Sequence, residues 1–194
     1  MLICITNRKL CRDDFLNRID QIAKGKPHAI MLREKDSSTP EYKSLVKKII
    51  EICVKNQVSL IINQNIEIAV EMNCSYIHLS MPDLRKYKKK IKLFSQTGAS
   101  VHSVSEAREA QELGATYLIA GHIFPTACKE GVPPRGLSFL REVCDAVEIP
   151  VLAIGGITKD NVKAVTRTGA KGICVMSEAM TCLKPVELAG SFRF

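Results

Sequence analysis

Eight short runs of β-branched and aliphatic residues recur along this chain with helical stretches between them, and that alternation narrows the choice of fold more than any other feature. The runs are Leu2 to Thr6, Ala29 to Arg33, Ser59 to Ile62, Tyr76 to Leu79, Gly98 to His102, Thr116 to Ala120, Val151 to Ile154 and Gly172 to Met176. Between them, apolar residues fall at helical spacing, as with Leu45, Val46, Ile49, Ile50 and Cys53. Ser103-Val104-Ser105-Glu106 reads as a capping box, Thr39-Pro40 puts proline at a helix start, and Thr158 is placed to cap a helix over Lys159 to Thr168. Strands that alternate with helices predict a parallel sheet, and near-continuously apolar strands predict burial on both faces. Eight such units in 194 residues predict a (β/α)8 TIM barrel, one domain over residues 1–194, rather than an open doubly wound sheet. Only 17 residues follow Ser177, so the closing helix has to be short.

Composition bounds the function. With 46% hydrophobic and 25% charged residues the chain buries a core and is not disordered. Its eight cysteines, at 4, 11, 53, 74, 128, 144, 174 and 182, form no C-x-x-C pair, and several sit inside apolar runs as small hydrophobes. That usage points to a reducing, cytoplasmic compartment. No charged segment precedes the apolar stretch of "MLICITNRK", and no run reaches the roughly 18 apolar residues that cross a bilayer, so neither export nor a membrane partner is expected. The net charge is +8, yet the densest basic cluster, Arg85 to Lys92, lacks the interleaved aromatics of a nucleic-acid module. A solvated helix face accounts for it, and the basic surplus suits a small anionic substrate.

In such a barrel, chemistry gathers at the C-terminal ends of the strands. Those ends carry Arg33-Glu34-Lys35, Asn63-Gln64-Asn65, His78 to Asp83, Ser100 to Ser103, Gly121-His122, Gly155-Gly156 and Ser177. Gly155 and Gly156 of "AIGGIT" let backbone approach an anion, and Met176 and Ser177 of "VMSEAM" stand at the neighbouring strand end. The loops after strands seven and eight are the recurring phosphate site of this fold, although two glycines also serve a plain tight turn. Arg33 and Lys35 are placed to bind an anion, unless "REK" is only a solvated charge cluster. Thr126 and Lys129 follow in "AGHIFPTACKEG", on a loop that can fold over a ligand. His122 ends the sixth apolar run and can exchange protons at neutral pH, while the commoner fate of one histidine there is packing. His78 and His102 have no metal-ligand spacing around them, and Cys128 has no partner base, so neither zinc nor a thiol nucleophile is expected.

Taken in order, "MLREK" at 31 to 35, "IINQN" at 61 to 65, "YIHLSMPDL" at 76 to 84, "GASVHSVSEA" at 98 to 107, "GHIFPTACKEG" at 121 to 131, "RGLSFL" at 135 to 140, "PVLAIGGIT" at 150 to 158 and "GICVMS" at 172 to 177 give the chain a family look. It resembles the superfamily of thiamine phosphate synthases and TenI-type thiazole tautomerases. The synthase pattern has Gln at the place of Met31 and a magnesium-binding Asp at the place of Gln64, whereas Arg33, Lys35, Asn63, Asp83, Ser100 and Lys129 match it. The Gly-His pair at 121 and 122 is similar to the tautomerase branch instead. That resemblance implies an isomerase that aromatises a dihydrothiazole carboxylate phosphate, with His122 as acid and base. It also implies Arg33, Lys35, Asn63, Ser100, Thr126 and Lys129 on the substrate, Gly155, Gly156, Met176 and Ser177 on its phosphate, no cofactor or metal, and a homodimer. Two alternatives stand beside it: a transferase joining a pyrimidine diphosphate to a thiazole phosphate, and a non-catalytic binder of thiazole phosphate.

Overall fold

Each of the eight runs forms a strand: β1 (Leu2–Ile5), β2 (Ala29–Leu32), β3 (Ser59–Asn63), β4 (Tyr76–Ser80), β5 (Gln96–Val101), β6 (Tyr117–Gly121), β7 (Val151–Ile154) and β8 (Gly172–Val175). In the computed structural model, which describes residues 1–192, they close in chain order into a parallel barrel. Ile3 pairs with Ala29 between β1 and β2, and Leu2 pairs with Ile173 where β8 meets β1. The intervening helices are α1 (Phe15–Lys24), α2 (Thr39–Asn56), α3 (Ile66–Glu71), α4 (Met81–Lys86), α5 (Val104–Glu112), α6 (Gly136–Ala146), α7 (Val162–Thr166), α8 (Ser177–Thr181) and α9 (Leu188–Ser191). The (β/α)8 expectation holds.

The reason the strands read as unbroken apolar runs is that their two faces serve two cores. Inward side chains, among them Ile3, Ile5, Met31, Ile61, Ile119, Leu152 and Cys174, fill the barrel. Outward ones, such as Ile30, Leu32, Ile62, Ile77 and Leu118, pack against helix residues including Ile19, Ile22, Val46, Ile49 and Leu140. Alternation with a period of two sends successive apolar strand residues to one core and then the other.

Several boundaries differ from the sequence reading. The strands stop before Thr6, Arg33, His102 and Met176. At the first of these the Thr6 hydroxyl takes the Arg33 amide at 3.0 Å and donates to Glu34 at 2.8 Å, which turns both chains out of the ladder. The helix expected over Lys159 to Thr168 is only α7, with Asn161 at its N-cap position. Asn161 Oδ1 accepts from the Thr158 amide at 2.9 Å, so residues 157–161 form a turn and Thr158 caps nothing. Proline lies in the first turn of α2 as expected, where Ser38 and Glu41 add a reciprocal capping box; at α5 the Ser103 hydroxyl accepts from Glu106 N at 3.1 Å, but Glu106 accepts from the His102 amide at 2.6 Å, so the expected box is only half formed. Among the described residues no helix is long and apolar enough to cross a membrane.

Candidate active-site cavity

The C-terminal mouth of the barrel opens into a cavity of about 470 Å³. Its floor is the top of the interior core, Ile5, Met31, Ile119, Ile154 and Cys174. Every candidate from the sequence lines its wall: His122, Arg33, Lys35, Asn63, Ser100, Thr126, Lys129, Gly155, Gly156, Met176 and Ser177. The common position at strand ends explains this, since closing the barrel brings eight such ends to one rim. Glu178, Thr158 and His102 share the wall without having been put forward as ligand contacts. For Glu178 the available signal was its place in the first turn after β8, next to Ser177.

The cavity is electropositive because its cations are unpaired. Arg33, Lys35 and Lys129 make no ion pair among the described residues. The intervening Glu34 does not neutralise its neighbours: its carboxylate is occupied by the Thr6 hydroxyl and by the Arg8 amide at 3.1 Å. The "REK" segment therefore sends its two cations to the cavity and its anion to the loop after β1. Cations left without partners in a cleft focus an attractive field on anions.

The same cavity also holds a stretch of backbone with free donors, close enough to these cations that Arg33 Nη1 lies 4.0 Å from Met176 Sδ. Gly155 and Gly156 have φ of +100° and +63°, and neither their amides nor that of Ser177 donates to an acceptor among the described residues. Unpaired amides beside a cavity are ready to hold an anion. The glycines have a second duty: a Cβ on Gly155 would lie 2.3 Å from His122 Cβ, and one on Gly156 would lie 2.4 Å from the Pro125 carbonyl oxygen. The loop after β6 packs directly on them. That loop carries Thr126, whose hydroxyl accepts from the Cys128 amide at 3.4 Å, and the exposed Cys128, whose Sγ is 3.3 Å from the Ser177 hydroxyl. Thr126 and Lys129 are thereby anchored near the start of α8.

His122 is held more firmly than a free acid–base group needs to be. Its Nε2–H donates to the Val132 carbonyl at 3.2 Å, its own carbonyl accepts from the Arg135 amide at 2.9 Å, and the residue is 8% exposed. It clasps both ends of the loop spanning 124–135. Replacing His122 with phenylalanine is expected to cost about 1 kcal/mol, the net value of one such hydrogen bond, and to speed proteolytic cleavage within that loop. Urea unfolding and timed proteolysis read the two effects.

A magnesium ion, implied for the synthase pattern, needs anionic oxygens. Here the position that should supply the second carboxylate is Gln64, whose amide donates to Asp83 Oδ2 at 3.4 Å. The same oxygen takes the Ser80 hydroxyl at 2.6 Å. Among the described residues no group of three or more His, Cys, Asp or Glu side chains could hold a metal ion. These residues do not fit a two-carboxylate ion site.

A family model described as thiamine monophosphate synthase matches residues 2–179. A thiamine-phosphate synthase of Clostridium acetobutylicum is 34% identical over 186 residues, covering 94% of this chain and 88% of that protein. One from Pyrococcus abyssi is 37% identical over 180 residues, covering 92% and 86%. The solved structure of a thiamine phosphate pyrophosphorylase from Pyrococcus furiosus superposes with a TM-score of 0.88 at 31% identity, over 99% of this chain and 93% of that one. These relatives overturn the isomerase expectation. They carry the name of the synthase, a transferase, and none supports the tautomerase branch that Gly121-His122 suggested.

Proposed function

From the premise that this chain belongs to the thiamine monophosphate synthase family, we propose that it is a transferase joining a pyrimidine diphosphate to a thiazole phosphate. The observation that supports this reading is a single cavity with two sets of anion-binding groups: free amides at Gly155, Gly156 and Ser177, and unpaired cations at Arg33, Lys35 and Lys129. Two phosphorylated substrates need two such places. The amide side takes the thiazole phosphate, and the cationic side, with Asn63 and Ser100, takes the diphosphate.

Joining the two substrates releases diphosphate, so the enzyme has to stabilise charge growing on the leaving group. With no fitting ion site, Arg33, Lys35 and Lys129 supply that stabilisation. Their charges act at the edge of an apolar floor, where electrostatic interactions are stronger than in water. Met31 is 1% exposed beneath this side, and its thioether offers a pyrimidine only packing and a weak acceptor.

The direct test mixes the protein with both substrates, with and without magnesium, and measures thiamine phosphate. Product above the buffer rate is expected. Arg33→Met is expected to lower kcat/KM by roughly 10²-fold, the scale of a lost charged contact to a leaving group. No product from wild type under either condition, nor from a Gln64→Asp variant with magnesium, would sink the transferase reading.

A further inference from the structure

A polar chain crosses the otherwise apolar barrel interior. Ser100 Oγ lies 2.8 Å from His78 Nε2, and His78 Nδ1 lies 3.2 Å from the Tyr117 hydroxyl. His78 is 2% exposed and Tyr117 6%. Among the described residues neither ring has another side-chain hydrogen bond.

The chain exists because of one missing side chain. His78 stands on β4 and Tyr117 on β6, with Gly98 of β5 paired to both. A Cβ at position 98 would sit 2.4 Å from His78 Nδ1 and closer still to the phenol ring. Glycine leaves the gap through which two residues on non-adjacent strands meet. Its φ is not in the left-handed region, so space and not backbone freedom explains it.

We infer that Tyr117 and His78 are positioning residues, which fix Ser100 as a hydrogen-bond donor into the cavity. A neutral imidazole has one donor nitrogen and one acceptor nitrogen. If Nδ1 carried the proton, it would occupy the phenol oxygen and leave the buried Tyr117 O–H without an acceptor, an unsatisfied donor that folding penalises. With the proton on Nε2, Tyr117 donates to Nδ1, Nε2–H donates to Ser100, and each buried donor is satisfied. Ser100 Oγ then has an acceptor role filled from behind, and its own hydrogen is turned toward a ligand. Burial pushes the His78 imidazole down to about 3 and the Tyr117 phenol upward, so the pair keeps these protonation states at neutral pH. The ligand group that the Ser100 O–H recognises is an oxygen or nitrogen acceptor, such as a diphosphate oxygen.

The inference does not depend on which reaction the cavity runs, because its first readout needs no substrate. In uniformly ¹⁵N-labelled protein, two-bond ¹⁵N–¹H correlations report the tautomer of His78, assigned with His78→Asn. The Nε2–H form is expected, and an Nδ1–H form overturns the proposal. Next, calorimetric titration with inorganic diphosphate compares wild type, Tyr117→Phe, Ser100→Ala and the double variant. Each single change is expected to weaken binding roughly 3- to 10-fold, the double no more than either, since Tyr117 acts through Ser100. Losses that multiply would show Tyr117 to be mere packing and would overturn the relay. Should Tyr117→Phe fail to fold, the wild-type tautomer still decides. Should wild type bind no diphosphate, the cationic-side assignment fails while the tautomer result stands.

Discussion

Gln64→Asp is expected to raise thiamine phosphate formation about 10²-fold in magnesium and to make it sensitive to EDTA, whereas wild-type turnover changes less than about twofold with the ion. The substitution gives Asp83 a second carboxylate for a neighbour in place of an amide that donates to it at 3.4 Å. A hard cation gains from that full negative charge far more than from an amide oxygen. The backbone favours the change as well: Gln64 has φ of +66°, a left-handed conformation that aspartate tolerates better than glutamine. The melting temperature should therefore hold or rise slightly. Rates with and without EDTA, and a magnesium titration in the presence of diphosphate, check both halves. A wild type that responds to magnesium as strongly as the variant would refute the charge argument.

The other large effect is structural in origin. Gly156→Ala is expected to cost about 3 kcal/mol, combining roughly 1–2 kcal/mol for a left-handed alanine with roughly 1–3 kcal/mol of overpacking against the Pro125 carbonyl. In a domain of this size that lowers the melting temperature by about 10 °C. The loop after β6 has to move away, taking Thr126 and Lys129 with it, so affinity for inorganic phosphate should fall at least tenfold. Scanning calorimetry and phosphate titration read the two. Lost stability with unchanged phosphate affinity would reduce the glycine pair to a turn.

The barrel was legible in the chain because its strands are buried on both sides: a run such as Tyr117-Leu118-Ile119-Ala120 has no polar face to be mistaken for an exposed strand or an amphipathic helix. The candidate wall was legible for a related reason, since strand ends are easy to find when strands are. What could not be read were interactions that join distant segments. His78 meets Ser100 and Tyr117 across 22 and 39 residues, and only Gly98, unremarkable in a string, makes that meeting possible. The short α7 escaped because Asn161, not Thr158, organises the turn. The Gly-His pair at 121 and 122 suggested a tautomerase, and it is the names of the relatives, which are synthases, that turn that reading aside, while the structure shows His122 Nε2–H donating to the Val132 carbonyl.

The apolar floor divides the labour of recognition. In the proposed function Arg33, Lys35 and Lys129 attract phosphates through a field that salt weakens, so they would govern how readily an anion is admitted. Ile5, Met31, Ile119 and Ile154 act by shape and dispersion, which ionic strength hardly touches. The proposed function therefore assigns discrimination between one heterocycle and another to side chains that carry no charge, and expects it to persist in brine even as capture slows.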